Sequence, residues 1–259
     1  MNIDLSGKNA LVSGSTRGIG KAIAMELASL GANVTLIARN ETKLMESLHQ
    51  LPTLSSQKHR FLVADFSNVA SLKSALAKSS LNYHILINNT GGPPAGPILN
   101  ATESEFESAF SNHLLCNHVL AQHVIPGMKA DSYGRIVNII STSVKQPIPG
   151  LGVSNTIRAA VANWSKTLSL ELAAFGITVN NVLPGATETD RIAEILHTRA
   201  EKSGKSMETL KEEMLQEVPM KRFANPEETA AAVAFLCSPS AAYITGINVP
   251  VDGGRTACL

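Results

Sequence analysis

Short runs rich in β-branched and other apolar residues alternate along this chain with longer stretches whose apolar positions recur at helical spacing. The runs lie at 9–13, 33–38, 60–64, 84–87, 135–140, 178–183 and 247–251; the helical patterns include 20–30, 69–78, 104–128, 155–175 and 226–236. Within the runs apolar residues are continuous and do not alternate with polar ones, as expected of strands buried on both faces. Strands and helices in strict alternation require parallel pairing through right-handed crossovers. The pattern therefore predicts an α/β fold with one doubly wound domain over 1–259, its parallel seven-stranded sheet flanked by helices on both faces. One stretch breaks the rhythm. Residues 188–222 are charged and helical by propensity, with apolar residues at Ile192, Ile195, Leu196, Met207, Leu210, Met214 and Leu215. They fit either an amphipathic hairpin of helices on the surface or a lid over the strand ends, where open α/β sheets place their ligands.

Composition narrows the function. With 259 residues and 44% hydrophobic content the chain can bury a large core without metal or disulfide staples. Its 22 basic and 21 acidic side chains leave a net charge of +1, so there is no concentrated basic surface for nucleic acid. Cys116, Cys237 and Cys258 are odd in number and widely spaced, which matches neither a disulfide framework nor a zinc pattern, and no metal site is expected. No apolar run approaches the roughly 20 residues that cross a bilayer, and the first residues lack the features of a signal peptide. The expected address is the cytoplasm, with no membrane partner.

The first run leads directly into Gly14-Ser15-Thr16-Arg17-Gly18-Ile19-Gly20, and a helical pattern begins at once behind it. Glycines there let the backbone approach a pyrophosphate, while the helix N-terminus offers free N–H groups and a partial positive charge. The spacing is Gly-x-x-x-Gly-x-Gly, which differs from the Gly-x-Gly-x-x-Gly fingerprint of many dinucleotide sites. Placed between strand one and helix one of a repeating β/α chain, the loop predicts a Rossmann-type nucleotide site. At the end of the second run, where an NAD site carries an acidic residue for the ribose 2′-hydroxyl, the chain has Ala38-Arg39. Arg39 and Arg17, with no carboxylate, argue for a 2′-phosphate and so for NADP(H).

These features, with Asp65-Phe66, Asn88-Asn89-Thr90-Gly91, Ser141, Pro184-Gly185 and Val251-Asp252-Gly253-Gly254 in order over nearly the whole chain, resemble the short-chain dehydrogenase/reductase family. The resemblance is to its β-ketoacyl-acyl-carrier-protein-reductase-like members. It implies that Asp65 and Phe66 hold the adenine, Asn89 and Gly91 the adenine-ribose side, and Pro184, Gly185, Thr187 and Thr189 the nicotinamide and phosphates. It also implies a homodimer or homotetramer; Ala159, Ala160, Ala162, Trp164 and Leu168 on the helix at 155–175 were natural candidates to meet a symmetry mate.

The family's chemistry uses a Ser, a Tyr-x-x-x-Lys pair and an Asn. Ser141 matches, but Tyr is replaced by Ser154, Lys by Arg158 and Asn by His113. A phenol of pKa about 10 beside an ammonium can be tuned toward neutral pH, whereas a serine hydroxyl is far less acidic and a guanidinium relays no proton. Arg158 can still hydrogen-bond the nicotinamide ribose and favour nearby negative charge. Substitute acids are His113, by its unperturbed pKa, and Lys145 on the loop after Ser141. Tyr133 lies at the wrong end of its strand. Two readings follow: an NADP(H)-dependent oxidoreductase acting on a small-molecule carbonyl or secondary alcohol, with Ser141 orienting the oxygen, or an NADP-binding sensor or structural subunit without turnover.

Overall fold

The computed structural model describes residues 1–54 and 56–258, Lys202 through its backbone alone. Seven parallel strands form one sheet: β1 (Asn9–Ser13), β2 (Asn33–Ala38), β3 (Arg60–Val63), β4 (Ile85–Asn88), β5 (Gly134–Ile139), β6 (Ile177–Pro184) and β7 (Asn248–Val251). Their spatial order is β3-β2-β1-β4-β5-β6-β7. The order reverses between β1 and β4, and this switch point opens the crevice in which such sheets bind ligands.

Alternate residues of each strand feed opposite cores. Ala10, Val12, Val34, Leu36, Ile85, Ile87, Val137 and Ile139 pack with α1 (Gly18–Ser29) and α9 (Pro226–Cys237) on one face. Leu11, Ile37, Leu86, Ile136 and Val179 pack on the other against α3 (Val69–Ala77) and α5 (Cys116–Ala130). Both faces are thus covered, which explains the unbroken apolar runs. Pro250 falls on edge strand β7, where its missing N–H costs no ladder bond on the open side. As expected of free thiols, Cys116 and Cys237 are buried, and burial raises both pKa values, Cys237 to about 12.

Two elements depart from the sequence pattern and a third, the helical hairpin, follows it. Helix α2 (Glu41–Gln50) is absent from it; it buries Leu44 and Ser47, with Leu48 packed against the core, and its other residues apart from Met45 are polar. The stretch at 104–128 is not one regular helix: α4 (Glu103–Ala109) and α5 are joined by a π-helical segment, Phe110–Leu115, which carries His113. Widened turns of this kind are frequent at functional sites. Residues 188–222 contain two helices, α7 (Asp190–Ser203) and α8 (Met207–Gln216), packed on each other. No helix among the described residues is long and apolar enough to cross a membrane.

The expectation for the outer face of α6 (Gly152–Leu172) is corrected in part. Ala162 is buried in a cluster with Ile140, Val161 and Leu183, and Trp164 and Leu168 pack against the cores of the same chain. Of the residues on α6 outside these cores, Ala159 and Leu170 are exposed and Ala160 is half-buried.

Candidate active site

At the switch point the glycine loop is held by its neighbours before any ligand is considered. Ser13 Oγ donates at the carbonyl of Ile87 (3.0 Å) and accepts from Asn89 N (2.8 Å), while Asn89 Nδ2 donates to Gly14 O (3.2 Å). Ser15 Oγ accepts from Ile37 N (3.1 Å), tying the loop to the end of β2. A Cβ at Gly20 would lie 2.2 Å from Gly14 O, and one at Gly14, whose φ is +59°, would lie 2.4 Å from Asn89 O. Only glycine lets the loop and α1 come this close, leaving the amides of the first turn of α1 facing the crevice. Thr16 and Ile19 sit half-buried on that loop, and Thr189 closes onto it, its methyl 3.1 Å from where a Cβ of Gly18 would stand.

The two arginines assigned to a 2′-phosphate are not equivalent. Arg39 is exposed at the end of β2 and lies near Asp65, whose pKa is lowered first by bonds from Ser67 and then by Arg39. Arg17 instead reaches α7, pairing with Asp190 (3.2 Å) and Glu194 (3.7 Å). A 2′-phosphate at Arg17 would compete with these carboxylates of α7. Phe66 turns its carbonyl to the Cys116 thiol (3.2 Å), and Gly91 has open space on the side a Cβ would take. After β6, Gly185 approaches Asp252 so closely that a Cβ would be 2.7 Å from its Cα. Thr187 Oγ1 donates to Gly185 O (3.2 Å) and Thr189 Oγ1 to Thr187 O (3.3 Å), building a turn from Pro184 to the N-terminus of α7.

The ends of β4 and β5 bring the remaining candidates together. Arg158, on α6, donates through Nη1 to Ile139 O at the end of β5 (2.8 Å), and its Nε is buried with no partner. Burial, followed by the charge of Arg191, brings its pKa down to about 10, so it stays cationic at neutral pH. His113, 2% exposed, contacts Thr90 Oγ1 through Nδ1 (2.6 Å). Burial first and Arg158 second hold its pKa well below the usual histidine range. Burial thus disfavours the protonated form that a general acid needs, and as neutral imidazole His113 accepts at one nitrogen and donates at the other. Thr90, its partner, stood in a recognised motif but had no role assigned to it.

Ser141 caps the short 3-10 turn Thr142–Val144, its Oγ accepting from Ser143 N (3.1 Å). With that lone pair occupied, its own proton is free for an outside oxygen. Ser154 lies half-buried in the first turn of α6, one turn before Arg158. Lys145 is half-buried just beyond the 3-10 turn. Tyr133 precedes β5 at its far end, and its hydroxyl donates to Cys237 O (2.9 Å). One functional candidate was missed altogether. Arg191, in the first turn of α7, donates from Nη2 to Pro93 O (2.7 Å) and so bridges α7 to the loop after β4. A signal existed: a cation in the first turn of a helix opposes the helix dipole, and such local misfits mark functional positions.

A profile of the family described as Enoyl-(Acyl carrier protein) reductase matches residues 14–256. The chain is 33% identical to the 3-oxoacyl-(acyl-carrier-protein) reductase of Rickettsia prowazekii over 252 residues, which is 97% of this chain and 98% of that protein. It is 31% identical to an NADPH-dependent reductase of Bacillus subtilis over 254 residues, 96% of this chain and 98% of the relative. Among solved structures, the L-sorbose reductase of Gluconobacter frateurii in complex with NADPH and L-sorbose superposes with a TM-score of 0.92 at 30% identity, all of both chains covered.

Proposed function

The chain belongs to the short-chain dehydrogenase/reductase family, and on that premise we propose that it is an NADP(H)-dependent reductase of a small carbonyl compound. The observation that carries the reading is the glycine cradle at the switch point, which a single Cβ at Gly14 or Gly20 would fill. By this reading Gly14, Thr16, Gly18, Ile19 and Gly20 hold the pyrophosphate, Arg39 the 2′-phosphate, and Asp65, Phe66, Asn89 and Gly91 the adenosine. Pro184, Gly185, Thr187 and Thr189 line the nicotinamide side, where the orphan Nε–H of Arg158 offers a donor to the ribose. When bound, NADPH supplies a hydride to the carbonyl carbon. Ser141 would donate a hydrogen bond to the carbonyl oxygen while keeping its proton, and Arg158 would stabilise the negative charge growing there through the low-dielectric interior.

The proton that finally neutralises the oxygen comes through Ser154, which sits where the family has its phenol, from solvent. His113 and Thr90 fix the far side of the site by their mutual hydrogen bond. The chain acts as one catalytic domain in which 188–222 form a cover over the strand ends. It works as a homodimer or homotetramer, for which the exposed Leu115, Leu170 and Phe110 are the apolar surface. Single-turnover mixing of the NADPH-loaded protein with a panel of ketones, oxo acids, quinones and ketoacyl thioesters tests the reading. Oxidation of the bound NADPH by one of them is expected; stable NADPH across the panel would favour the sensor or structural reading, to which the Ser154 and Arg158 replacements lend support.

A further inference from the structure

Gly92, on the loop after β4, has an open side onto which two guanidinium groups converge. Where a Cβ would stand, Arg191 Nη2 is 3.7 Å away and Arg158 Nη2 3.8 Å away. The two come from different elements, α7 and α6, and meet only here. Arg158 is 8% exposed and has one hydrogen bond among the described residues, from Nη1 to the neutral carbonyl of Ile139, so its Nη2 remains for a ligand when Nε serves the ribose. Among the described residues no carboxylate lies within ion-pairing distance of it. On the Arg191 side Glu194 faces Nη1 (3.4 Å) but is shared with Arg17, which also takes Asp190. Three guanidiniums and two carboxylates leave one positive charge uncompensated at the inner end of the cluster, where Arg158 and Arg191 stand.

Two like charges brought together in a partly dry site repel, and the arrangement is relieved when an anion lies between them. The loop that carries Gly92 is stiffened by Pro93, Pro94 and Pro97 and tied to the start of α6 through Gly96 N, which donates to Gly150 O (2.8 Å). Two planar forks suit the two oxygens of a carboxylate, with Arg191 Nη2 also held by Pro93 O (2.7 Å).

We propose that the substrate carries a carboxylate held between Arg158 and Arg191, so that the enzyme acts on an oxo acid and not on a neutral ketone. This rests on the reductase reading above. It also gives the Arg158 replacement a use that a lysine would serve less well, since a guanidinium can bond Ile139 O and a carboxylate at the same time.

The test uses the full chain saturated with NADP+, so that hydride transfer is excluded and binding alone is read by calorimetry. The probes are 4-methyl-2-oxopentanoate and its methyl ester, which share the ketone and the branched apolar tail. The acid is expected to bind about tenfold or more tighter than the ester. Arg191→Gln is expected to remove that preference by weakening the acid and sparing the ester, and Arg191→Lys to restore part of it. Equal binding of acid and ester, no binding of either, or an Arg191→Gln variant that weakens both alike overturns the proposal. Failure of NADP+ to bind in the first titration would overturn the reductase reading itself, and is read separately from the probes.

Discussion

The ends of β1 and β2 and the ends of β4 and β5 belong to one sheet, yet they treat their functional residues in opposite ways. At β1 and β2 the geometry is made by backbone: glycines that admit no Cβ, Ser13, Ser15 and Asn89 bracing the loop, and amides left to face the crevice. At β4 and β5 it is made by side chains, Ser141, His113, Ser154 and Arg158, which meet from three elements. Backbone sites tolerate little change because the chain must pass through one conformation. Side-chain sites can be rewritten while the fold stays intact. The lesson is that cofactor recognition and proton chemistry are separable in this architecture, so one can persist while the other changes.

The sharpest way to break the cofactor end is Gly20→Ala. Its Cβ would sit against Gly14 O and Asn89 Nδ2, so NADPH affinity should fall by about 100-fold or more while thermal melting shows a folded protein. Retained affinity in calorimetry would mean that the loop is not the pyrophosphate site. Next in size is the double change Ser154→Tyr with Arg158→Lys. Restoring an acid of suitable pKa should raise the rate on a neutral ketone such as an acetoacetyl thioester by about tenfold or more, in line with the usual worth of general acid catalysis. An unchanged rate in steady-state assays would locate the difference in the pocket and not in the acid.

Between the two arginines of the cofactor end, Arg39→Ala should lower the preference for NADPH over NADH by about tenfold, roughly 1.4 kcal/mol. Arg17→Ala should cost less, because Asp190 and Glu194 already occupy its guanidinium. Equal effects in paired titrations would mean that Arg17 leaves α7 when the phosphate arrives.

The smallest effect concerns His113. Its folded-state pKa lies below its unfolded value, so the unfolded chain binds the extra proton and stability falls as pH drops below about 6.5. The loss per pH unit is at most about 1.4 kcal/mol for this group. His59, His84 and His123 are shifted the same way, so the measurement is the difference between wild type and His113→Gln in urea unfolding from neutral pH to about pH 5. A slope unaltered by the substitution would show that His113 is not held neutral.

How much could be read in the residues follows the same division. The runs at β1 and β2 matched their strands residue for residue, because continuous apolar patterning is what a doubly covered sheet demands. The glycine loop was legible because its constraint is local. Helix α2 was not, since its apolar face is only Leu44 and Leu48, with Leu51 just past its end, in a short and largely polar segment. The π-helical turn under His113 depends on one extra residue in the ladder and has no composition of its own. The neutral state of His113 and the diversion of Arg17 arise from groups far apart in sequence, Arg158 in one case and Asp190 and Glu194 in the other. Arg191 was detectable in principle as a cation against a helix dipole, although nothing local names what it meets.

The claim at the centre of this account is that the cofactor end is complete whatever the catalytic end has become. Calorimetric titration of the wild-type chain with NADPH and with NADH tests it most directly. The account predicts saturable NADPH binding at one site per chain, with NADH weaker by about tenfold or more. No binding of either dinucleotide, or equal binding of both, would contradict it.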